Sequence, residues 1–225
     1  MLHKALGISA LVLMLTALYL IFIFAGVDAT QGPAFRIFYF HVPAELMGYL
    51  SAFLLGFACI MYLVNGQPKW DRFGAASAEF GVLFGGTGML SGMMWAKPIW
   101  GKYWVWWDAR LNLQLILVLL FVAYLMLRSY LPNPEKRATL SCVFGLLAML
   151  DVPFNYLVFY FVSTKQHPGP VVSPGGGGTD TDMAIAFMCS LLAWSVTYAY
   201  LFMHRISIAR AEEEVEFLEQ TVHAL

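Results

Sequence analysis

Six apolar runs, each about as long as a bilayer is thick, constrain this chain more than any other feature of its sequence. A hydrocarbon core of roughly 30 Å is crossed by about 20 apolar helical residues. Runs of that kind are placed at 5–26, 43–64, 75–95, 111–131, 138–162 and 183–203. Composition agrees: 60% of the 225 residues are hydrophobic and 12% charged, with mean hydropathy +0.69. Soluble domains run near half apolar and about a quarter charged. A single soluble core of this length cannot hide so much apolar surface. The expected fold is all-α, a polytopic membrane bundle of six transmembrane helices over residues 1–204, followed by an acidic amphipathic tail at 205–225. The first run follows Lys4, as a signal peptide would, but it is longer than a signal core and AGVDA at 25–29 is a poor cleavage site. It is expected to stay as a helix.

Several classes fall away. A net charge of -1 with no basic patch gives no support for nucleic-acid binding. Cys59, Cys142 and Cys189 each lie within an apolar run, at no metal-ligand spacing, and read as small core residues. The turns GQPKWDR (66–72) and SYLPNPEKR (129–137) are short and polar. The longer connections are 27–41, 96–110 and 163–182, the last with PGP and GGGG (175–178).

Lysine and arginine orient the bundle. With the N-terminus in the cytoplasm, eight cations fall inside: Lys4, Lys69, Arg72, Arg128, Lys136, Arg137, Arg205 and Arg210. Five fall outside, Arg36, Lys97, Lys102, Arg110 and Lys165, and three of them crowd into 97–110 against the usual bias. Both termini are then cytoplasmic. In the tail, Val215, Leu218, Val222 and Leu225 recur at three- and four-residue spacing among glutamates, which reads as an amphipathic helix, either a solvated cap or a docking surface. Gly81, Gly85, Gly88 and Gly92 form two GxxxG spacings in the third run and predict close helix packing.

The densest signal is Trp100-Gly-Lys-Tyr-Trp-Val-Trp-Trp-Asp-Ala-Arg110, with four of the seven tryptophans in eight residues. One reading is an interfacial aromatic belt. The other is a shelf: Trp100, Trp104, Trp106 and Trp107 stacking on a large planar ligand, with Lys97, Lys102 and Arg110 as a cationic rim for its carboxylates and Asp108 among them. His3, His204 and His223 sit near chain or helix ends and read as incidental. His41, in FYFHVP with Pro43 placed to open the second helix, and His167, in KQHPGP, both fall on the side of the tryptophans. Neutral imidazole is a common ligand for iron, zinc and copper. Without accompanying cysteine or carboxylate a closed zinc site is disfavoured. Two imidazoles beside an aromatic, cation-rimmed platform fit haem best. Glu45 and Glu79 are expected near helix ends. Asp151, in LDVPF, falls mid-helix beside the helix-loosening Pro153 and is a candidate functional carboxylate.

These residues resemble a family. WGKYWVWWDARL resembles the tryptophan-rich WWD signature of the haem-handling membrane proteins of cytochrome c maturation, and within them the haem exporter protein C (CcmC) family. FYFHVPAE and LDVPFNY followed by KQHPGP resemble the blocks holding that family's two external histidines; order and spacing agree from about residue 35 to 170. This loop carries one tryptophan more between Val105 and Asp108, Asn112 stands where threonine is usual, and FVSTKQ lacks tryptophans often seen before the second histidine. The resemblance implies that His41 and His167 are the axial iron ligands of haem b and that the loop holds it at the periplasmic face of a bacterial inner membrane. It implies delivery to the haem chaperone CcmE, in an assembly with an ABC-type transporter of CcmA and CcmB and with the small protein CcmD. Such a protein is a haem-presenting scaffold more than a conventional enzyme. A haem lyase of the sister family would carry histidines mid-bilayer, and none falls there. A channel would need a polar path, for which only Asp151 is well placed.

Overall fold

The computed structural model describes residues 2–162 and 181–223. It is a bundle of six helices: α1 (Leu2–Tyr19, prolonged by a π-helical turn, Leu20–Phe24), α2 (Phe38–Asn65, entered through a 3-10 turn, Pro33–Ile37), α3 (Pro68–Trp100), α4 (Ala109–Tyr130), α5 (Pro134–Phe161) and α6 (Thr181–His223). Every apolar run of the sequence falls on one of them, to within two residues at its end. Among the described residues, five helices are both long and apolar enough to span a membrane. The exception, α3, has the length at 33 residues, but its glycines dilute its hydropathy. It lies between α2 and α4. Leucines such as Leu11, Leu83, Leu119, Leu150 and Leu192 point outward, as lipid requires.

The polar turns stop and start the helices as their chemistry dictates. Gly66 takes a left-handed conformation (φ 65°) and returns its N–H to the Tyr62 carbonyl at 2.7 Å. Pro68 and Pro134 occupy first turns, where a missing N–H costs nothing. Asn133 caps α5, accepting from the Lys136 N–H at 2.8 Å.

α2 begins at Phe38, so Pro43 lies inside the helix and does not open it. A proline there leaves the carbonyl four residues back without its helical donor. Ser190 of α6 supplies one: its hydroxyl donates to the Tyr39 carbonyl at 2.5 Å. Phe35, Phe38, Tyr39 and Trp95 pack edge and face around this extra turn and hold it.

Three apolar clusters fill the bundle. Leu55, Leu117, Phe121 and Tyr124 join α2 to α4 and α5. Ile21, Phe38, Met183 and Ala186 join α1 to α6 at one end. Met47, Phe80, Phe84, Tyr198 and Phe202 join α2 and α3 to α6. At the opposite end Arg128 pairs in a fork with Asp71, and Arg205 with Glu79, so Glu79 is held by a partner helix. There too the rings of His3 and His204 lie 5.0 Å apart. The start of α1 and the far part of α6 thus share one end of the bundle, as six crossings require. α6 continues without a break into the acidic tail, as one helix of 43 residues.

Candidate functional site

The end away from the termini holds a cavity, part of it open to solvent, between the first turns of α2 and α4 and the last turns of α3. His41 stands on its wall. Its Nδ1 lies 2.9 Å from the Gly88 carbonyl oxygen, which can only accept, so Nδ1 carries the proton and Nε2 is the basic nitrogen of the neutral ring. The edge of Trp95 closes on the same imidazole at 5.8 Å between ring centres, and Trp95 is itself held by donating to Gln31 Oε1 at 2.9 Å.

The glycine row of α3 makes this placement possible. Gly85 meets Gly48 backbone to backbone. A Cβ on Gly88 would stand 2.5 Å from Glu45 Oε1, and one on Gly92 would stand 2.8 Å from His41 Cε1. The row packs helices, as its spacing predicts, and it also leaves room for the two side chains that line the cavity. Gly92→Ala is therefore expected to push the imidazole from its position, weakening any ligand it binds by roughly 10–100-fold, the scale of losing a ligand-orienting contact. Metal-site spectra of the variant, with unchanged thermal unfolding, would check this.

Below His41, one and two turns deeper in α2, Glu45 and Tyr49 line the same cavity, with Arg110 and Gln114 facing them from α4. Arg110 lies close enough to act electrostatically on both Glu45 and Tyr49. Glu45 is buried, and its Oε2 has no hydrogen-bond partner among the described residues. Asn155 donates to Gln114 Oε1 at 3.4 Å and carries the polar lining toward α5, where Asp151 is buried. Tyr49, Trp95 and Gln114 were not singled out by sequence. The signal available was spacing, since 41, 45 and 49 fall on one face of a helix.

The tryptophan-rich segment divides in two. α3 runs on to Trp100, five residues past its expected end, and Gly101 terminates it with φ 73° and a 3.0 Å bond to the Lys97 carbonyl. Trp100 and Trp104 line the cavity, and the Trp104 indole N–H is buried with no partner among the described residues. Trp106 and Trp107 are each 71% exposed. Trp106 still touches Trp104, ring centres 5.8 Å apart. The cations divide likewise. Arg110 lines the cavity, whereas Lys97 reaches the Gly101 carbonyl at 3.1 Å and lies over Tyr103, and Lys102 lies over Trp107.

Asp108 is 2% exposed and caps α4, accepting from the N–H groups of Arg110 at 3.0 Å and Leu111 at 3.1 Å. Asn112 donates to the Trp106 carbonyl at 2.6 Å and so pins the loop to the helix it precedes. Asp108→Ala is expected to cost about 1 kcal/mol through loss of the cap, with Asp108→Asn recovering most of it. Thermal unfolding of both variants in detergent would read the difference, and equal losses would point to a role for the charge. His167, Lys165 and the run 175–178 lie outside the described residues.

Comparison with known proteins bears on this arrangement. A family model described as heme exporter protein C matches residues 1–221. The chain is 28% identical over 198 residues to the heme exporter protein C of Bradyrhizobium diazoefficiens, covering 88% of this chain and 72% of that protein. It is likewise 28% identical over 201 residues to the heme exporter protein C of Escherichia coli, covering 88% and 77%. A ccmC-like mitochondrial protein of cytochrome c biosynthesis from Marchantia polymorpha is 30% identical over 155 residues, covering 69% and 65%.

Proposed function

The chain belongs to the heme exporter protein C family of cytochrome c maturation, and from that premise we propose that it holds haem b in the cavity beneath its WWD loop and presents it to the haem chaperone CcmE. The observation that carries this reading is His41: an imidazole on the wall of an aromatic cavity, its Nδ1–H fixed by the Gly88 carbonyl so that Nε2 is the metal-binding nitrogen. The residues around it suit the cargo. Trp100 and Trp104 offer ring faces, and the buried Trp104 N–H and the Arg110 guanidinium are donors for carboxylates. His167 is the second axial ligand in this reading, and Trp106, Trp107, Lys97 and Lys102 form the outer rim. Haem here is cargo, and the chain's part is to bind and orient it. The bond to the chaperone forms between a haem vinyl group and the chaperone's own histidine, so the protein acts as a scaffold.

In this reading the cavity faces the periplasm, both termini face the cytoplasm of a bacterial inner membrane, and the assembly includes the ABC-type subunits CcmA and CcmB and the small protein CcmD. Reporter fusions should place residue 105 outside and residue 133 inside; the reverse would put the cavity on the wrong face. The optical spectrum of the protein purified with CcmE decides the main proposal. A Soret band on the protein and covalent haem on CcmE are expected, and a spectrum without haem would overturn the reading. A haem lyase would instead act on apocytochrome, and capture of apocytochrome in place of CcmE would favour it. A channel would show solute flux in vesicles.

A further inference from the structure

The far end of α6 carries a feature that the haem reading does not use. Beyond Arg205 the helix continues to His223, about 27 Å at 1.5 Å per residue. Along it Ile208, Ala211, Val215, Leu218 and Val222 recur at alternating spacings of three and four, and Leu225 continues the register in the sequence. That is a heptad seam, with β-branched Ile208, Val215 and Val222 at one core position and Ala211 and Leu218 at the other. β-Branched residues at the first and leucine at the second favour a parallel, two-stranded coiled coil.

The seam has no partner among the described residues. Ile208, Val215, Leu218 and Val222 are between 52% and 68% exposed. The opposite face does have one: Ile206 packs on the Met47–Phe202 cluster, and Glu213 pairs with Arg72 of α3. Both stand at the heptad position farthest from the seam, so the contacts that hold the helix to the bundle also turn the seam away from it. Isolated coils this short are marginal because helix nucleation is costly. Here the helix is already nucleated by its membrane-spanning part.

Charge selects the occupant. The positions flanking the seam carry Glu212, Glu214 and Glu219. In a parallel pair of identical copies Glu214 of one would face Glu219 of the other, a like-charge contact at the place where coiled coils choose partners. An anionic lipid surface is disfavoured on the same ground. We propose that this extension is one half of a parallel heterodimeric coiled coil. Its partner is a helix of another protein that leaves the membrane in the same direction, with an apolar heptad seam flanked by lysine or arginine. The proposal is independent of what the cavity binds.

Two measurements on the full-length protein in nanodiscs test it. In the first, synthetic heptad peptides with isoleucine and leucine in the seam carry either lysine or glutamate at the flanks, and binding is followed by fluorescence anisotropy. The lysine peptide should bind, more weakly at high salt, and the glutamate peptide should not. Leu218→Asp should weaken binding by at least about tenfold. The pair Glu214→Lys and Glu219→Lys should transfer preference to the glutamate peptide, a reversal that a misfolded protein would not show. Equal binding of both peptides, or no effect of Leu218→Asp, would overturn the proposal. In the second, a photo-crosslinking residue at Val215 is activated in native membranes and the captured peptide is sequenced. A basic-flanked apolar heptad segment is expected. Capture of only a second copy of this chain, of lipid, or of nothing would overturn the proposal equally.

Discussion

His41→Ala is expected to strip the protein of most of its haem, by more than the roughly 10–100-fold that loss of an outer contact to a metal ligand brings. Three features make this variant informative. The imidazole stands on the cavity wall, where the proposed ligation needs it. Its removal leaves the Gly88 carbonyl satisfied, because that oxygen lies inside α3, where the N–H four residues on is its helical donor. The fold should therefore survive, and lost haem will report lost ligation. The change also leaves an imidazole-sized space bounded by Gly92 and Trp95. Imidazole added to the purified variant should enter that space and restore part of the Soret intensity. The measurement is haem per protein, by pyridine haemochrome, beside the absorption spectrum. A His41→Ala, His167→Ala double variant with full haem and an unchanged spectrum would show that iron is held elsewhere.

The fold was largely legible in the sequence because lipid enforces it. Backbone groups in a bilayer must bond within their own segment, so a run such as 111–131 has little choice but helix, and it is found as Ala109–Tyr130. Boundaries set by tertiary contacts were not legible. Pro43 marks a helix start by local rules, yet a hydroxyl from Ser190, distant in sequence, lets the helix begin five residues earlier. Trp100 belongs to α3 although hydropathy fades before it, since a Gly101 cap sets the end. In the site, His41, Trp100, Trp104 and Arg110 were found by residue type, and the structure brings them to one cavity. Lys97, Lys102, Trp106 and Trp107 look the same in sequence; the last turn of α3 turns Lys97 outward, and the conformation of the loop turns the other three. Glu45 was expected near a helix end, and it is instead two turns inside α2, buried at the cavity against Gly88. Asp108 was counted with the ligand-binding residues because of its motif, and the contacts shown are those of a helix cap.

That division of the tryptophans carries the second large effect. Trp106→Ala with Trp107→Ala should leave haem bound but reduce its delivery to the chaperone by about thirtyfold or more. Both indoles are 71% exposed and neither lines the cavity, while Trp106 touches the lining ring of Trp104. Two exposed tryptophans side by side, one under the Lys102 ammonium, are the kind of apolar anchor that dominates protein interfaces. Such an anchor is worth about 2 kcal/mol or more when removed, which is a factor of about thirty in affinity. Trp104→Ala should behave in the opposite way. Its ring lines the cavity, and an aromatic contact of that kind is worth about 0.5–1.5 kcal/mol beyond its buried area. It should lower haem occupancy about threefold to tenfold, and whatever haem remains should still be passed on. Bound haem and covalently labelled chaperone, quantified in one purified sample, separate the two. If the outer pair lost haem as readily as Trp104→Ala, they would be part of the binding site. If they lost neither haem nor delivery, the chaperone would dock elsewhere, and the exposed pair would be left as an interfacial anchor in the membrane headgroups.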